Sequence, residues 1–167
     1  MLLVETEALS SHVSAGNNPN QLVVFCLDEQ RYALRLSAVE KIVRMVEITP
    51  LPKAPEIILG VINIKGRIIP VFHIRERFHL PGREIGLSDH LVVARTARRS
   101  VALVADVVVG VVARADEELN AVEQIFPGLE YVEGIVKLDD GLVFIHDLDT
   151  FLSLEEEKTL EQALAPV

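Results

Sequence analysis

The stretch of residues 22–43 reads LVVFCLDEQRYALRLSAVEKIV, and it decides the fold because it occurs twice. A shift of 69 residues places it without a gap on residues 91–112, LVVARTARRSVALVADVVVGVV. So many matches without a gap indicate an internal repeat. The identical pairs are Leu22 and Leu91, Val23 and Val92, Val24 and Val93, Ala33 and Ala102, Leu34 and Leu103, Val39 and Val108, and Val43 and Val112.

The repeated stretch has the pattern of β-strands. Residues 22–27 form a short apolar run, and residues 28–30 read as a polar turn. From Tyr32 to Leu36 the side chains then alternate with the period of two that is typical of a strand. The repeat therefore predicts a pair of similar all-β units.

A second echo follows in the same order. Residues 60–64, GVINI, resemble residues 134–138, GIVKL. Each segment is followed by a turn glycine, Gly66 or Gly141, and by an apolar run. Each run ends at a histidine and a phenylalanine, so His73 and Phe78 match His146 and Phe151. Two echoes in one order favour a duplicated unit over the ordinary likeness between β-hairpins.

These patterns predict the domain organisation. Residues 1–20 are rich in Ser, Asn, Gly and Pro and read as a flexible lead-in. The two units span roughly 21–80 and 88–150. Each has about five short strands, and small sheets avoid exposed edges by closing into barrels. We expect Pro70 to lie in an edge strand or at a bulge, because proline cannot donate to a ladder.

Short helices are expected at two places. Pro55 can begin one helical turn over residues 55–59. Residues 153–165 read as a helix within the tail of residues 153–167, because Ser153 and Glu156 have the spacing of a capping box. Its apolar stripe is incomplete, so we expect this helix to pack loosely or to fray.

The composition excludes several classes of function. The formal net charge of -9 argues against nucleic acid as a partner, because phosphate binding needs a basic field. The single cysteine, Cys26, cannot form an internal disulfide, which favours a reducing compartment. No basic residue precedes Arg31 and no apolar run is long enough to cross a bilayer, so a cytoplasmic protein without membrane insertion is expected.

The sequence contains no motif for catalysis. A nucleophile elbow, a phosphate-binding glycine loop and a Cys-x-x-Cys pair are all absent. Imidazole and carboxylates can bind zinc or iron, and His146 is followed by Asp147 and Asp149. His73 and His146 nevertheless match each other in the repeat, so we interpret both as structural. We expect no enzyme activity, no metal and no cofactor.

A basic stretch lies near the centre of the chain. Solvated charge is one interpretation, and a local partner surface on an otherwise acidic protein is the other. Its members are Lys65, Arg67, Arg75, Arg77 and Arg83.

Residues 59–71, LGVINIKGRIIPV, resemble the signature of the CheW family of chemotaxis coupling proteins, which reads approximately G-V-I-N-L-R-G-x-I-I-P-V. Residues 22–25, 32–34, 101–106 and 131–135 also look like family segments. The resemblance covers about residues 21–152. It implies two intertwined five-stranded SH3-like β-barrels with a short C-terminal helix.

The resemblance also implies a function. Family members are non-enzymatic adaptors that link the cytoplasmic tips of methyl-accepting chemoreceptors to the regulatory domain of a CheA-type histidine kinase. That kinase domain has the same fold, so barrels can pack against barrels. The alternative is a CheW-like protein- or ligand-binding module in another two-component pathway, such as motility or biofilm formation. The residues that the family pattern assigns to the receptor-binding groove are Val39, Lys41, Ile42, Asn63, Lys65 and Gly66.

This sequence departs from the family pattern at two of those positions. The family segment V-x-E-I is Val39-Glu40-Lys41-Ile42, with lysine in place of glutamate. The arginine of N-L-R-G is Lys65, which keeps the charge but loses the two-pronged donor geometry. Two lysines cannot pair with each other, so an atypical receptor partner is expected.

Overall fold

The computed structural model describes residues 21–113, 119–121, 131–138 and 141–165. The expected lead-in of residues 1–20 and the last two residues of the tail lie outside this part of the chain. Two α-helices are present within it, α1 (Ile74–Arg77) and α2 (Leu154–Leu164), together with two short 3-10 helices, Leu36–Ala38 and Leu148–Thr150. The strands are β1 (Gln21–Leu27), β2 (Gln30–Arg35), β3 (Val39–Arg44), β4 (Ile58–Ile64), β5 (Arg67–Phe72), β6 (His90–Arg95), β7 (Ser100–Ala105), β8 (Val107–Ala113), β9 (Leu119–Ala121), β10 (Val132–Leu138) and β11 (Gly141–His146).

The strands form two sheets that exchange strands between the repeats. Sheet A has the order β8-β1-β2-β11-β10-β9, and sheet B has the order β3-β6-β7-β5-β4. The third strand of each repeat leaves its own sheet, so β3 pairs with β6 and β8 pairs with β1. Each sheet therefore contains strands from both sequence units.

The hydrogen-bond register confirms the internal repeat. Val24 pairs with Ala33 in the first unit, and Val93 pairs with Ala102 in the second, as the 69-residue shift requires. The exchanged strands obey the same shift. A register that is preserved pair by pair keeps the same apolar positions facing the same side of each sheet.

The second echo is confirmed for the hairpins but was wrong at its end. Val61 pairs with Pro70 and Ile135 pairs with Phe144, which sets a shift of 74 residues. By that shift His146 corresponds to Phe72 rather than to His73, and the match of the two histidines is off by one residue. Because side chains alternate between the faces of a strand, this single step changes which side of the sheet is compared.

The turn glycines were also matched wrongly. Gly141 pairs with Leu138, so it corresponds to Arg67, which pairs with Ile64. Gly66 lies instead within the two-residue turn before Arg67.

The core has three layers, because most strands are buried on both faces. In β1, Val23, Phe25 and Leu27 belong to a central core shared by the two sheets. Leu22 and Val24 point the other way, into a smaller core of sheet A, and sheet B has an equivalent core of its own. This double burial explains why β1 reads as a continuous apolar run.

Two details of the connections differ from expectation. Residues 55–59 are not helical: the Ile58 amide donates to the Pro55 carbonyl (2.9 Å), and β4 begins at Ile58. Ile57 and Ile58 are buried, and their β-branched side chains suit extended structure. Pro70 lies in β5, between β4 and β7, rather than in an edge strand. The pairing with β7 starts only at Val71, so that ladder needs no donor at Pro70.

Gly60 is required by a close approach of two backbone segments. Thr49 and Val61 exchange two backbone hydrogen bonds of 2.8 Å each. A Cβ atom at Gly60 would lie 2.3 Å from the Thr49 carbonyl oxygen. Only glycine leaves room for this bridge, which lies beside β4.

The C-terminal helix is the one predicted, with the capping box of Ser153 and Glu156 in place. The expectation of loose packing was wrong, because Leu160 is fully buried in the central core. Arg99 pairs with Glu157 (2.9 Å), and Arg77 pairs with Glu156. The buried Leu160 and these ion pairs therefore hold α2 against the rest of the molecule.

Candidate functional site

The β4–β5 hairpin presents three of the candidate residues at one fixed tip. Lys65 and Gly66 have φ angles of 52° and 88°, the left-handed conformation of a tight hairpin turn. The Asn63 side-chain oxygen accepts a hydrogen bond from the Gly66 amide at 2.8 Å. Asn63, Lys65 and Gly66 are all exposed. The tip is therefore fixed by its turn conformation and by the Asn63 side chain. The structure describes no hydrogen bond or ion pair of the Lys65 side chain.

A charged network joins this hairpin to the neighbouring strands. Arg67 donates to Glu40 (3.2 Å) and to the Ser100 hydroxyl (2.7 Å), and Ser100 in turn donates to Glu40 (2.5 Å). Arg95 lies 3.9 Å from the same carboxylate. Burial raises the pKa of the Glu40 carboxyl, but the hydrogen bonds from Ser100 and Arg67 outweigh it and leave that pKa below its usual range. Glu40 is thus a fixed negative charge among cations.

The remaining candidate residues lie on β3, two of them buried in the core and one half-buried. Val39 and Ile42 are only 1% and 2% exposed and fill the central core. Lys41 is half-buried, directly after the irregularity that shifts the β3–β6 register. Val39 and Ile42 therefore present no surface of their own, and they can affect a partner only through the position of β3.

Sequence reasoning missed the exposed apolar side chain beside the tip. Ile68 pairs with Asn63 across the hairpin and is 57% exposed, although it is a large hydrophobic residue. Strand alternation alone could not have found it, because Ile68 shares a face of β5 with Phe72, which is buried in the central core, and is exposed only near the start of the strand. Its counterpart in the other repeat, Leu142, is also exposed, at 45%.

The rest of the basic stretch is held by ion pairs away from this surface, with Arg75 buried, Arg77 half-buried and Arg83 exposed. Arg75 is bound to Asp28 (2.9 and 3.0 Å) and to Asp106 (2.5 Å), and Arg83 is bound to Asp106 (2.7 Å) and Asp89 (2.6 Å). Hydrogen bonding to Asp28 raises the pKa of Arg75 further above its high ordinary value. The network ties the two repeats together, since Asp28 and Asp106 are 78 positions apart in the chain.

The two histidines occupy unlike surroundings. The Nδ1 atom of His73 lies 3.3 Å from Glu76 at the surface. His146 is 3% exposed and packs among aromatic rings, with centroid distances of 4.7 Å to Tyr32 and to Phe78. Burial lowers the pKa of His146 to about 3. In the part of the chain that the structure describes, no group of three or more metal-ligating side chains is found.

Comparisons with known proteins agree with this architecture. The sequence model of the CheW-like domain matches residues 21–156. This chain belongs to the CheW family. A CheW chemotaxis protein of Treponema pallidum is 27% identical over 146 residues, which cover 84% of this chain and 86% of that protein. The CheW of Thermotoga maritima is 29% identical over 144 residues, covering 86% and 93%.

A solved structure extends the likeness to three dimensions. The crystal structure of the scaffolding protein TtCheW from Thermoanaerobacter tengcongensis matches with a TM-score of 0.74 and 29% identity. The match covers 84% of this chain and 92% of that one. Sheets A and B thus correspond to the two intertwined SH3-like barrels that the resemblance implied, and the predicted fold class is confirmed. Sheet A has a sixth strand, the three-residue β9.

The charged residues near the hairpin differ from those that the family resemblance led us to expect. Lysine replaces the expected glutamate at position 41 and the expected arginine at position 65. In the structure Glu40, one residue before Lys41, pairs instead with Arg67, two residues after Lys65. No described helix is long and apolar enough to span a membrane.

Proposed function

We propose that this protein is a cytoplasmic, non-enzymatic adaptor that couples chemoreceptors to a CheA-type histidine kinase. The observation that carries the proposal is the CheW architecture across most of the chain, with the family match over residues 21–156. A double-barrel fold that buries its strands on both faces provides rigid external surfaces. Rigid surfaces suit a scaffold, because little conformational freedom is lost when partners bind.

The candidate groove supports the receptor half of the proposal. Lys41, Asn63, Lys65 and Gly66 supply accessible polar groups, while Val39 and Ile42 set the position of β3 from below. The exposed Ile68 adds an apolar contact of the kind found at the centre of protein interfaces. We assign the receptor tip to this surface. Following the family resemblance, we assign the regulatory domain of the kinase to the ends of the barrels.

Reconstitution tests the coupling directly. Autophosphorylation of the cognate kinase is measured alone, with receptor cytoplasmic fragments, and with both receptor fragments and this protein. We expect receptor control of the kinase only in the complete mixture. As a control, the protein alone must neither hydrolyse ATP nor become phosphorylated.

Two outcomes would contradict the proposal. Full receptor control without this protein would mean that it is not the coupling element. Binding to neither the kinase regulatory domain nor the receptor fragment would point instead to a CheW-like module in another two-component pathway.

A further inference from the structure

A cavity lies between the β6–β7 turn and the start of α2. Its volume is about 150 Å³, which is enough for one aromatic ring. The buried side chains of Phe72, Val101 and Leu148 form its floor, and Leu154, 75% exposed, lies at its mouth. None of the candidate groove residues is among the described residues that line it. The cavity is therefore a second place at which the protein can receive an apolar group.

The walls of the cavity are fixed by bonds within the protein. The Thr96 hydroxyl accepts a hydrogen bond from the Arg99 amide at 3.1 Å and donates one to the Arg99 carbonyl at 3.0 Å. The Asp149 carboxylate accepts a hydrogen bond from the Ala97 amide at 2.8 Å and ties the turn to the second 3-10 helix. On the α2 side, Arg99 lies 2.9 Å from Glu157. Walls that are fixed in advance lose little conformational freedom when a ligand binds.

The rim of the cavity carries no excess of either charge. Two arginines and two acidic residues line it, namely Arg98, Arg99, Asp149 and Glu157. Arg99 and Glu157 pair with each other, so Arg98 and Asp149 are the groups left for a ligand. A rim that offers one donor group and one acceptor group favours a neutral polar ligand, since any ion meets a like charge there.

Arg98 and Asp149 both keep the capacity for further hydrogen bonds. The Arg98 side chain is 54% exposed, and its guanidinium lies 3.7 Å from Glu161, which is too far for a hydrogen bond. Asp149 uses its Oδ1 atom for the Ala97 amide, and no hydrogen bond to its Oδ2 atom is found within the described part of the chain. A carboxamide fits this pair, because it has a carbonyl acceptor for the arginine and an NH2 donor for the carboxylate.

We propose that this cavity binds a small neutral aromatic carboxamide. The ring of the ligand lies against the floor of the cavity, and its head group lies between Arg98 and Asp149. A ring in this place also covers part of the exposed Leu154, which favours binding through the hydrophobic effect. The inference is independent of the coupling function, because it rests only on the shape and the polar groups of this cavity.

Three probes that share one ring test the choice of head group. Benzamide is neutral, benzoate is an anion and benzylamine is a cation at neutral pH. Each probe is titrated into the isotope-labelled full chain, and the NMR shifts of the Ala97, Arg98 and Arg99 amides report binding. We expect benzamide to bind with a dissociation constant on the order of 1 mM, and both ions to bind about fivefold more weakly.

Variants of the rim should change which probe is preferred. Asp149→Asn removes the negative charge but keeps an acceptor for the Ala97 amide, so benzoate should gain about fivefold relative to benzamide. Arg98→Gln should favour benzylamine in the same way. Leu154→Ala should weaken the binding of all three probes about threefold, because it removes apolar contact area. Leu87→Ala is the matched control, since Leu87 is 90% exposed and is not among the residues that line the cavity.

Three results would overturn the inference. The absence of a saturable shift at about 20 mM benzamide would mean that the cavity holds no such ligand. Equal affinity for the three probes, unchanged by Asp149→Asn and Arg98→Gln, would show that the rim does not select the head group. Equal effects of Leu154→Ala and Leu87→Ala would place the ring elsewhere. Melting temperatures show whether each variant is folded, and if Asp149→Asn is unstable, Arg98→Gln provides the same test at a more exposed side chain.

Discussion

His146 is a buried position at which the two repeats place different side chains. Its counterpart is Phe72, and both side chains lie in the central core, 3% and 1% exposed. Neither imidazole nitrogen has a hydrogen-bond partner among the described residues. The rings of Tyr32, Phe78 and Phe151 pack around it at 4.7 to 5.3 Å. We expect the substitution His146→Phe to make the folded protein less sensitive to acid.

The magnitude follows from the shift of the His146 pKa. Burial lowers it from 6.5 to about 3, so the unfolded chain takes up a proton at a pH where the folded protein does not. Stability is therefore lost as pH falls from the ordinary pKa towards the folded one. The complete shift corresponds to roughly 5 kcal/mol, of which about 2 kcal/mol is lost between pH 7 and pH 5.

Urea denaturation of both proteins at pH 7, 6 and 5 measures this effect. At pH 7 the phenyl ring removes two unpaired polar atoms, a gain of about 1–3 kcal/mol, but its larger volume costs a similar amount. The difference in free energy of unfolding at pH 7 alone therefore does not test the prediction. The test is how that difference changes between pH 7 and pH 5. Other titrating groups are common to both proteins and cancel in that difference.

The reasoning is refuted if the difference in free energy of unfolding between His146→Phe and the unmodified protein is the same at pH 7 and pH 5. A direct measurement is also available. The His146 ring protons should keep constant NMR shifts between pH 7.5 and pH 5, and titration near pH 6.5 would contradict the buried, uncharged imidazole.

Three further predictions concern stability, each measured by urea denaturation. Arg75→Met should cost roughly 3 kcal/mol because it leaves two aspartates without their buried partner, whereas the more exposed Arg67→Met should cost about 1 kcal/mol or less; equal losses would contradict the role of the buried network. Gly60→Ala should cost roughly 3 kcal/mol because the new Cβ meets a backbone carbonyl, and Gly66→Ala, with open space around it, should cost only about 1 kcal/mol of strain. Leu160→Ala should cost roughly 2–5 kcal/mol, and a loss below 1 kcal/mol would mean that α2 is not anchored in the core.

The sequence predicted local features well, because they depend on neighbours in the chain. The alternation and the gapless shift of 69 residues identified β1 and β2 and their copies β6 and β7 in the correct register. The capping box of Ser153 and Glu156 marked the start of α2, because both partners of that motif lie within one helical turn.

Tertiary structure decided what depends on contacts between distant residues. The exchange of β3 and β8 between the sheets leaves no local signal, since either partner satisfies the same backbone donors and acceptors. The histidine match slipped by one residue because similarity of residue type cannot fix a register that hydrogen bonds determine. The clustered arginines read as one basic stretch, yet Asp28 and Asp106 remove Arg75 from the surface while Arg67 stays at it. Burial and long-range pairing determine which charges are exposed to a partner. Both are properties of the folded chain and cannot be read from the order of its amino acids.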